Sequence, residues 1–178
     1  MAKRRVVVTG LGIISPVGLN LKQSWDNILA GKSGAAPITE FDTSDFSVKF
    51  ACTVKDFDPE LYNLSSKDLR KMDTFIHYGI AAADQALKDS GLEVTEANAE
   101  RIGVSIGSGI GGLPMIEKNK EALDNGGPRK LSPFLIPGSI SKMISGHVSI
   151  RYGVKGPNIA IVTAFHPVNH RIGKAARL

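Results

Sequence analysis

The residues best placed to do chemistry in this 178-residue chain lie towards its end, where Val162 to Leu178 reads VTAFHPVNHRIGKAARL. Ile159 to Val162 is a short β-branched run of the kind that forms a buried strand. From Ile172 onward the pattern Ile-Gly-Lys-Ala-Ala-Arg-Leu is helical in period, with small residues on one face. At such a strand-to-helix junction an enzyme can hold a thiol, because unpaired backbone N–H groups and the helix dipole stabilise its thiolate. Here the position is occupied by Phe165, whose ring has no nucleophilic atom.

Other chemistry-bearing residues have simpler readings. His166 and His170 are spaced i,i+4, as in some zinc sites, but Pro167 lies between them and no glutamate or third ligand accompanies them, so no metal is expected. Thr9-Gly10-Leu11-Gly12 resembles a dinucleotide-binding turn with Ser15 where the third glycine should be; a tight-turn role is expected instead. Gly107-Ser108-Gly109-Ile110-Gly111-Gly112 lacks the Lys-Ser/Thr ending of a phosphate loop, which leaves close backbone packing. Cys52, the only cysteine, reads as a small core residue and excludes an intrachain disulfide. Lys67, Arg70 and Lys71 share about one helical turn and, with Arg129 and Lys130, could form a basic docking patch.

The elements that must position these residues alternate between strand and helix. Arg5–Thr9, Phe46–Phe57, Arg101–Ser108 and Ile159–Val162 are expected strands. A helix capped by Asn20, with Gln23 three residues on, carries Leu21, Trp25, Ile28 and Leu29 and ends at Gly31. A long helix from Ser65 to Gly91 opens with a capping box completed by Asp68 and buries Leu69, Met72, Ile76, Ile80, Ala83 and Leu87. Further helices are expected over Pro114–Asp124 and Ser139–Tyr152. This alternation predicts an α/β layered fold with a mainly parallel sheet. With 42% hydrophobic residues the chain can bury a core, and its formal charge of +5 suits an acidic partner. No apolar run approaches a membrane span, and the apolar run after the basic start is too short for a signal peptide. The chain stops at Leu178 inside an expected helix without a C-cap, as a truncated piece would.

Six segments running in order along the chain carry a family resemblance: RRVVVTGLGIISPVG (4–18), FDTSDFSVKFACTVKDF (41–57), RKMDTFIHYGIAAADQAL (70–87), IGSGIGGL (106–113), NGGPRKLSPF (125–134) and YGVKGPNIAIVTA (152–164). The chain resembles the N-terminal part of the β-ketoacyl-[acyl-carrier-protein] synthases, most closely the elongating type II enzymes of bacterial fatty acid synthesis. The resemblance implies a thiolase-like layered α-β-α-β-α fold with a mainly parallel mixed sheet, of which residues 1–178 supply the first half. It also implies a cytoplasmic acyltransferase, usually homodimeric, that needs neither cofactor nor metal and binds neither nucleic acid nor membrane.

In such enzymes a cysteine at the start of a buried helix accepts the acyl chain, and decarboxylated malonyl-carrier protein then attacks the thioester. The resemblance places Phe165 at that cysteine and His166-Pro167-Val168 where the family has a Thr or Ala, a small residue and a Gly. This departure is confined to Phe165 through about Arg171. Ile110 aligns with the residue at the base of the acyl pocket, and Leu113 and Leu135 with further pocket-lining positions. Lys67, Arg70, Lys71, Arg129 and Lys130 align with basic positions that meet acyl-carrier protein. The implied partners are acyl-carrier protein and acyl and malonyl thioesters, while the chain as written is expected to be inactive alone. Two other readings are a non-catalytic ketosynthase-like partner subunit that docks carrier protein and, disfavoured by the incomplete glycine patterns, a nucleotide-binding α/β domain.

Overall fold

Asn20 begins the first helix as its side chain requires. Its Oδ1 accepts from Gln23 N at 2.9 Å, Gln23 Oε1 accepts from Leu19 N at 2.7 Å, and α1 runs over Leu21–Leu29. In this computed structural model residues 5–162 are described, together with 172, 173 and 175. Their elements follow as β1 (Ala36–Pro37), β2 (Phe50–Ala51), α2 (Ser66–Leu69), α3 (Thr74–Ser90), β3 (Val104–Ser105), α4 (Leu113–Gly126), α5 (Leu135–Ser139), α6 (Met143–Tyr152) and β4 (Asn158–Ile159), with short 3-10 turns between some of them. β1 pairs with β2 antiparallel, and β3 with β4 parallel, Val104 opposite Asn158 and Ser105 opposite Ile159.

Contacts divide the chain into two units. One draws its described residues from Met1–Val8, Pro59–Ile80 and Leu92–Leu178; the other comprises Thr9–Asp58 and Ala81–Gly91. In the first, Leu64, Met72, Ile76, Ile80, Val104, Ile144, Val148 and Val154 are buried. Gly79 lets α3 meet α6 here, since a Cβ at that position would lie 2.0 Å from Ile144 Cδ1. Buried Ser145 and half-buried Asn158 tie α6 to β4, with Ser145 Oγ and Asn158 Oδ1 2.8 Å apart and Asn158 Nδ2 donating to Ser145 O at 3.1 Å. Gly153, at φ +68°, ends α6 in the left-handed conformation expected of a helix-stopping glycine.

In the second unit the Gly10–Gly12 segment lies against the C-terminal half of α3. Leu11 N donates to Asp89 Oδ2 at 2.8 Å and Ile13 N to Gln85 Oε1 at 3.3 Å. A Cβ on Gly12 would lie 2.0 Å from Ala82 O, and one on Gly10 2.4 Å from Ala86 O. Neither glycine has positive φ, so the tight-turn expectation is corrected to close approach of two backbones.

Four other expectations change. Val6, Val7 and Val8 form no strand and are exposed, because a β-branched run becomes a strand only by pairing and no described residue pairs with it. The long helix is two helices: buried Asp73 accepts from Thr74 N at 2.6 Å and so starts α3 afresh, as an aspartate competing with the helix ladder does. In α1 the face carrying Leu21, Trp25, Ile28 and Leu29 is exposed, whereas Ser24 is buried and Asn27 Nδ2 donates to Val17 O at 2.6 Å. Cys52 is exposed, so it is not the core residue expected. The helix expected over Ser139–Tyr152 begins only at Met143, because the serines before it hold the glycine loop: Gly112 N donates to Ser139 O at 2.8 Å and Ser141 Oγ to Ile110 O at 3.1 Å.

Candidate functional site: a basic cleft between the α2 and α4 segments

α2 is fixed by the expected capping box. Asp68 N donates to Ser65 Oγ at 3.2 Å, Ser65 N donates to Asp68 Oδ2 at 3.1 Å, and the Ser65 hydroxyl, ahead of nearby cations, holds the Asp68 carboxyl below the usual carboxylate range. This puts Lys67 within α2, with Arg70 and Lys71 at its exit. Lys71 Nζ lies 5.5 Å from the centre of the Phe134 ring, a cation–π contact that draws its charge towards the start of α5.

The opposite wall is α4, whose first turn contains Pro114, where a missing N–H costs nothing. Asp73 Oδ2 accepts from Met115 N at 2.8 Å, so one carboxylate serves the first turns of both α3 and α4. Buried Asn119 donates through Nδ2 to Met115 O at 2.8 Å and accepts from Ser132 N through Oδ1 at 2.7 Å, fixing the 132–134 segment against α4. Gly138 completes the junction, since a Cβ there would lie 2.5 Å from Met115 Sδ and 2.6 Å from Lys71 O.

These elements enclose a cleft of about 760 Å³. Five cations line it, Lys67, Arg70, Lys71, Lys118 and Lys130, against one carboxylate, Asp73, already engaged with two amides. None of the five belongs to an ion pair found among the described residues. The remaining lining includes Leu69, Met72, Met115, Ala122, Pro133 and Phe134, an apolar surface beside the cations. His77 also lines the cleft and is only 7% exposed. Burial holds its imidazole below the usual histidine range, partly opposed by the Asp73 charge and a hydrogen bond to the Met72 backbone; Nε2 has no hydrogen-bond partner among the described residues. Neutral, with its other nitrogen engaged, the ring presents Nε2 as a buried acceptor, and an unmade bond of this kind costs about 1–3 kcal/mol.

Four of the five docking residues expected from sequence therefore meet in one cleft, and Arg129, on the exposed Pro128–Lys130 turn, lies outside its lining. Lys118 and His77 were not anticipated. Lys118 was legible in the spacing, since Pro114, Lys118 and Ala122 recur every four residues along one face of α4. Ile110 and Leu113 are exposed, the former by 74%, and Leu135 is half-buried; none of the three lines this cleft. The glycine loop that carries Ile110 is committed to packing: Gly111 N donates to Ser108 Oγ at 3.1 Å, and a Cβ on Gly111 would lie 2.5 Å from Ser139 O. Phe165, assigned to the nucleophile position, lies outside the described residues. No helix among the described residues is long and apolar enough to cross a membrane.

Known proteins give this arrangement a context. The 3-oxoacyl-[acyl-carrier-protein] synthase 2 of Vibrio cholerae is 60% identical over all 178 residues, and that of Coxiella burnetii 57% identical. The chain spans 43% of the length of each. Among solved structures, the ishigamide ketosynthase/chain length factor superposes with a TM-score of 0.83 at 30% identity, covering 99% of this chain and 45% of that one. A type II PKS acyl-carrier protein in complex with its ketosynthase bound to the hexaketide gives 0.82 at 28% identity, covering 99% and 47%. These likenesses confirm the α/β, thiolase-like fold class, although within the described residues the strand pairing is one parallel and one antiparallel pair. Residues 3–166 match the family described as beta-ketoacyl synthase, N-terminal domain, and the chain belongs to that family.

Proposed function

We propose that this chain is the N-terminal part of a 3-oxoacyl-[acyl-carrier-protein] synthase of type 2, an acyltransferase that condenses acyl thioesters with malonyl-acyl-carrier protein in fatty acid elongation. The observation that carries the reading is the 57–60% identity to relatives of that name along the whole chain. Within it, the basic residues Lys67, Arg70, Lys71, Arg129 and Lys130 meet the acidic carrier protein, and clustering of four of them around one cleft supports that role. Ile110, Leu113 and Leu135 line the acyl pocket, their apolar bulk limiting chain entry. The whole protein works in the cytoplasm as a homodimer.

The test is a chimera in which residues 1–162 replace the corresponding part of the Vibrio cholerae relative, whose own residues supply the rest. Elongation of acyl-carrier protein with malonyl-carrier protein is expected. A folded chimera that binds both thioesters and condenses nothing overturns the reading.

Phe165 at the nucleophile position favours a second reading, a non-catalytic ketosynthase-like partner that docks carrier protein. Under both readings the unaltered 178-residue chain forms no acyl-enzyme, because acyl transfer needs a thiolate. Intact-mass measurement after incubation with acyl-carrier protein should show the unmodified mass; a stable adduct on this chain refutes the assignment of Phe165.

A further inference from the structure

We propose that the cleft between the α2 and α4 segments is a binding site for a small amphipathic phosphomonoester, an anion with an apolar body, which draws on cations shared with carrier-protein docking and on His77, which docking does not use. Three observations converge on this class. Lys67, Arg70, Lys71, Lys118 and Lys130 line one cleft, while its single carboxylate, Asp73, is engaged by the amides of Thr74 and Met115. The excess cations therefore call for a ligand head of more than one negative charge, as a phosphomonoester carries near neutral pH. The volume, about 760 Å³, falls in the range of roughly 300–1,000 Å³ that holds small molecules, and Leu69, Met72, Met115, Pro133 and Phe134 offer apolar surface that a bare inorganic ion would leave uncovered.

His77 supplies the third observation. It lines the same cleft, is buried, and has Nε2 as an acceptor without a partner among the described residues. A protein surface paired only with the cations would leave that nitrogen as it is. A small ligand entering the cleft can satisfy it through a water carried in with its head.

Phenyl phosphate is the probe, titrated into the 15N-labelled 178-residue chain, with inorganic phosphate and phenol as the separate head and body. Saturable shifts of the amides around Lys71–Thr74 and Met115–Asn119 are expected with phenyl phosphate, and at least about tenfold weaker effects with either half. Lys118→Met and His77→Phe should each weaken binding roughly three- to tenfold, and His77→Gln, which keeps an acceptor, should recover most of the second loss. Arg129→Glu, outside the cleft lining, should slow carrier-protein association and leave phenyl phosphate binding unchanged, whereas His77→Phe should do the reverse. These opposite responses separate a failure of this site from a failure of the docking reading. Backbone spectra of each variant report its folding, and the unaltered chain alone settles the main point. Absence of saturable shifts up to about 10 mM phenyl phosphate, where even a 1 mM site would be filled, overturns the proposal. So does binding that inorganic phosphate matches in strength, or that both Lys118→Met and His77→Phe leave intact.

Discussion

Asp73 offers a sharp test of how the cleft is built. It is 7% exposed, and its two oxygens accept from Thr74 N at 2.6 Å and Met115 N at 2.8 Å, two amides in first turns where the helix ladder provides no acceptor. Asp73→Ala leaves both unpaired. A hydrogen bond to a charged acceptor contributes about 1.5–2 kcal/mol, so losing two costs about 3–4 kcal/mol, with the helix-dipole contribution contained in that figure. The Met115 amide, protected by this contact, should exchange with solvent roughly 150- to 1,000-fold faster. Asp73→Asn keeps an acceptor oxygen but no charge and should give about half the loss in free energy, roughly 10- to 30-fold faster exchange. Asp26→Ala and Asp124→Ala, which break exposed pairs with Lys22 and Lys120, should leave the Met115 amide alone. Native-state hydrogen exchange reads all four. If Asp73→Ala accelerates Met115 exchange by less than about fivefold, the shared carboxylate does not hold the two helix starts and the reasoning fails.

Reversing Lys67 and Lys71 to Glu should slow association with carrier protein about tenfold at low salt, the gap closing as salt rises; equal rates by stopped flow would reduce the cluster to solvated surface. Burial lowers the folded-state pKa of both His77 and His147, so below about pH 6.5 the unfolded chain binds more protons than the folded one, and stability should fall as pH drops through the folded-state values. Urea midpoints at about pH 7.5 and about pH 5.5 should show this fall, and the double variant His77→Gln/His147→Gln should shrink it; a midpoint that rises on acidification contradicts the assignment. Trp25, 58% exposed on α1, should emit like free tryptophan and be quenched freely by acrylamide in dilute solution, and a blue-shifted, shielded emission would show that its face is covered.

How much of this was legible in the sequence depended on whether the determining partner was near in the chain. The caps at Asn20 and Ser65 were readable because donor and acceptor sit three residues apart, and Gly153 because a stop signal acts where it stands. Asp73 was not. In sequence it looks like one more polar position beside an apolar stripe, and only the approach of Met115, 42 residues away, makes it the joint between two helices. The strands were over-extended for a related reason, since Val6–Val8 and most of Arg101–Ser108 have strand composition but pairing is a property of neighbours. In α1 the helix and its cap were legible but not which side it buries, because the Ser15, Val17 and Gly18 loop takes the polar Ser24 and Asn27. For the site, a run of charge revealed Lys67, Arg70 and Lys71, while an isolated Lys118 became part of it only once α4 supplied the opposite wall.

The contact of Gly10 and Gly12 with α3 bears on how this family can vary. Because main-chain atoms of α3 occupy the volume a Cβ would need, no neighbouring side chain can yield to make room, and every substitution adds a carbon there. Drift at these two positions is therefore blocked even for alanine, the smallest replacement, whereas Gly79, facing the adjustable end of Ile144, leaves a route through compensating change at 144. A mutational library over this region should find 10 and 12 immobile for reasons of space alone. Their persistence in any relative is then weak testimony for a bound nucleotide.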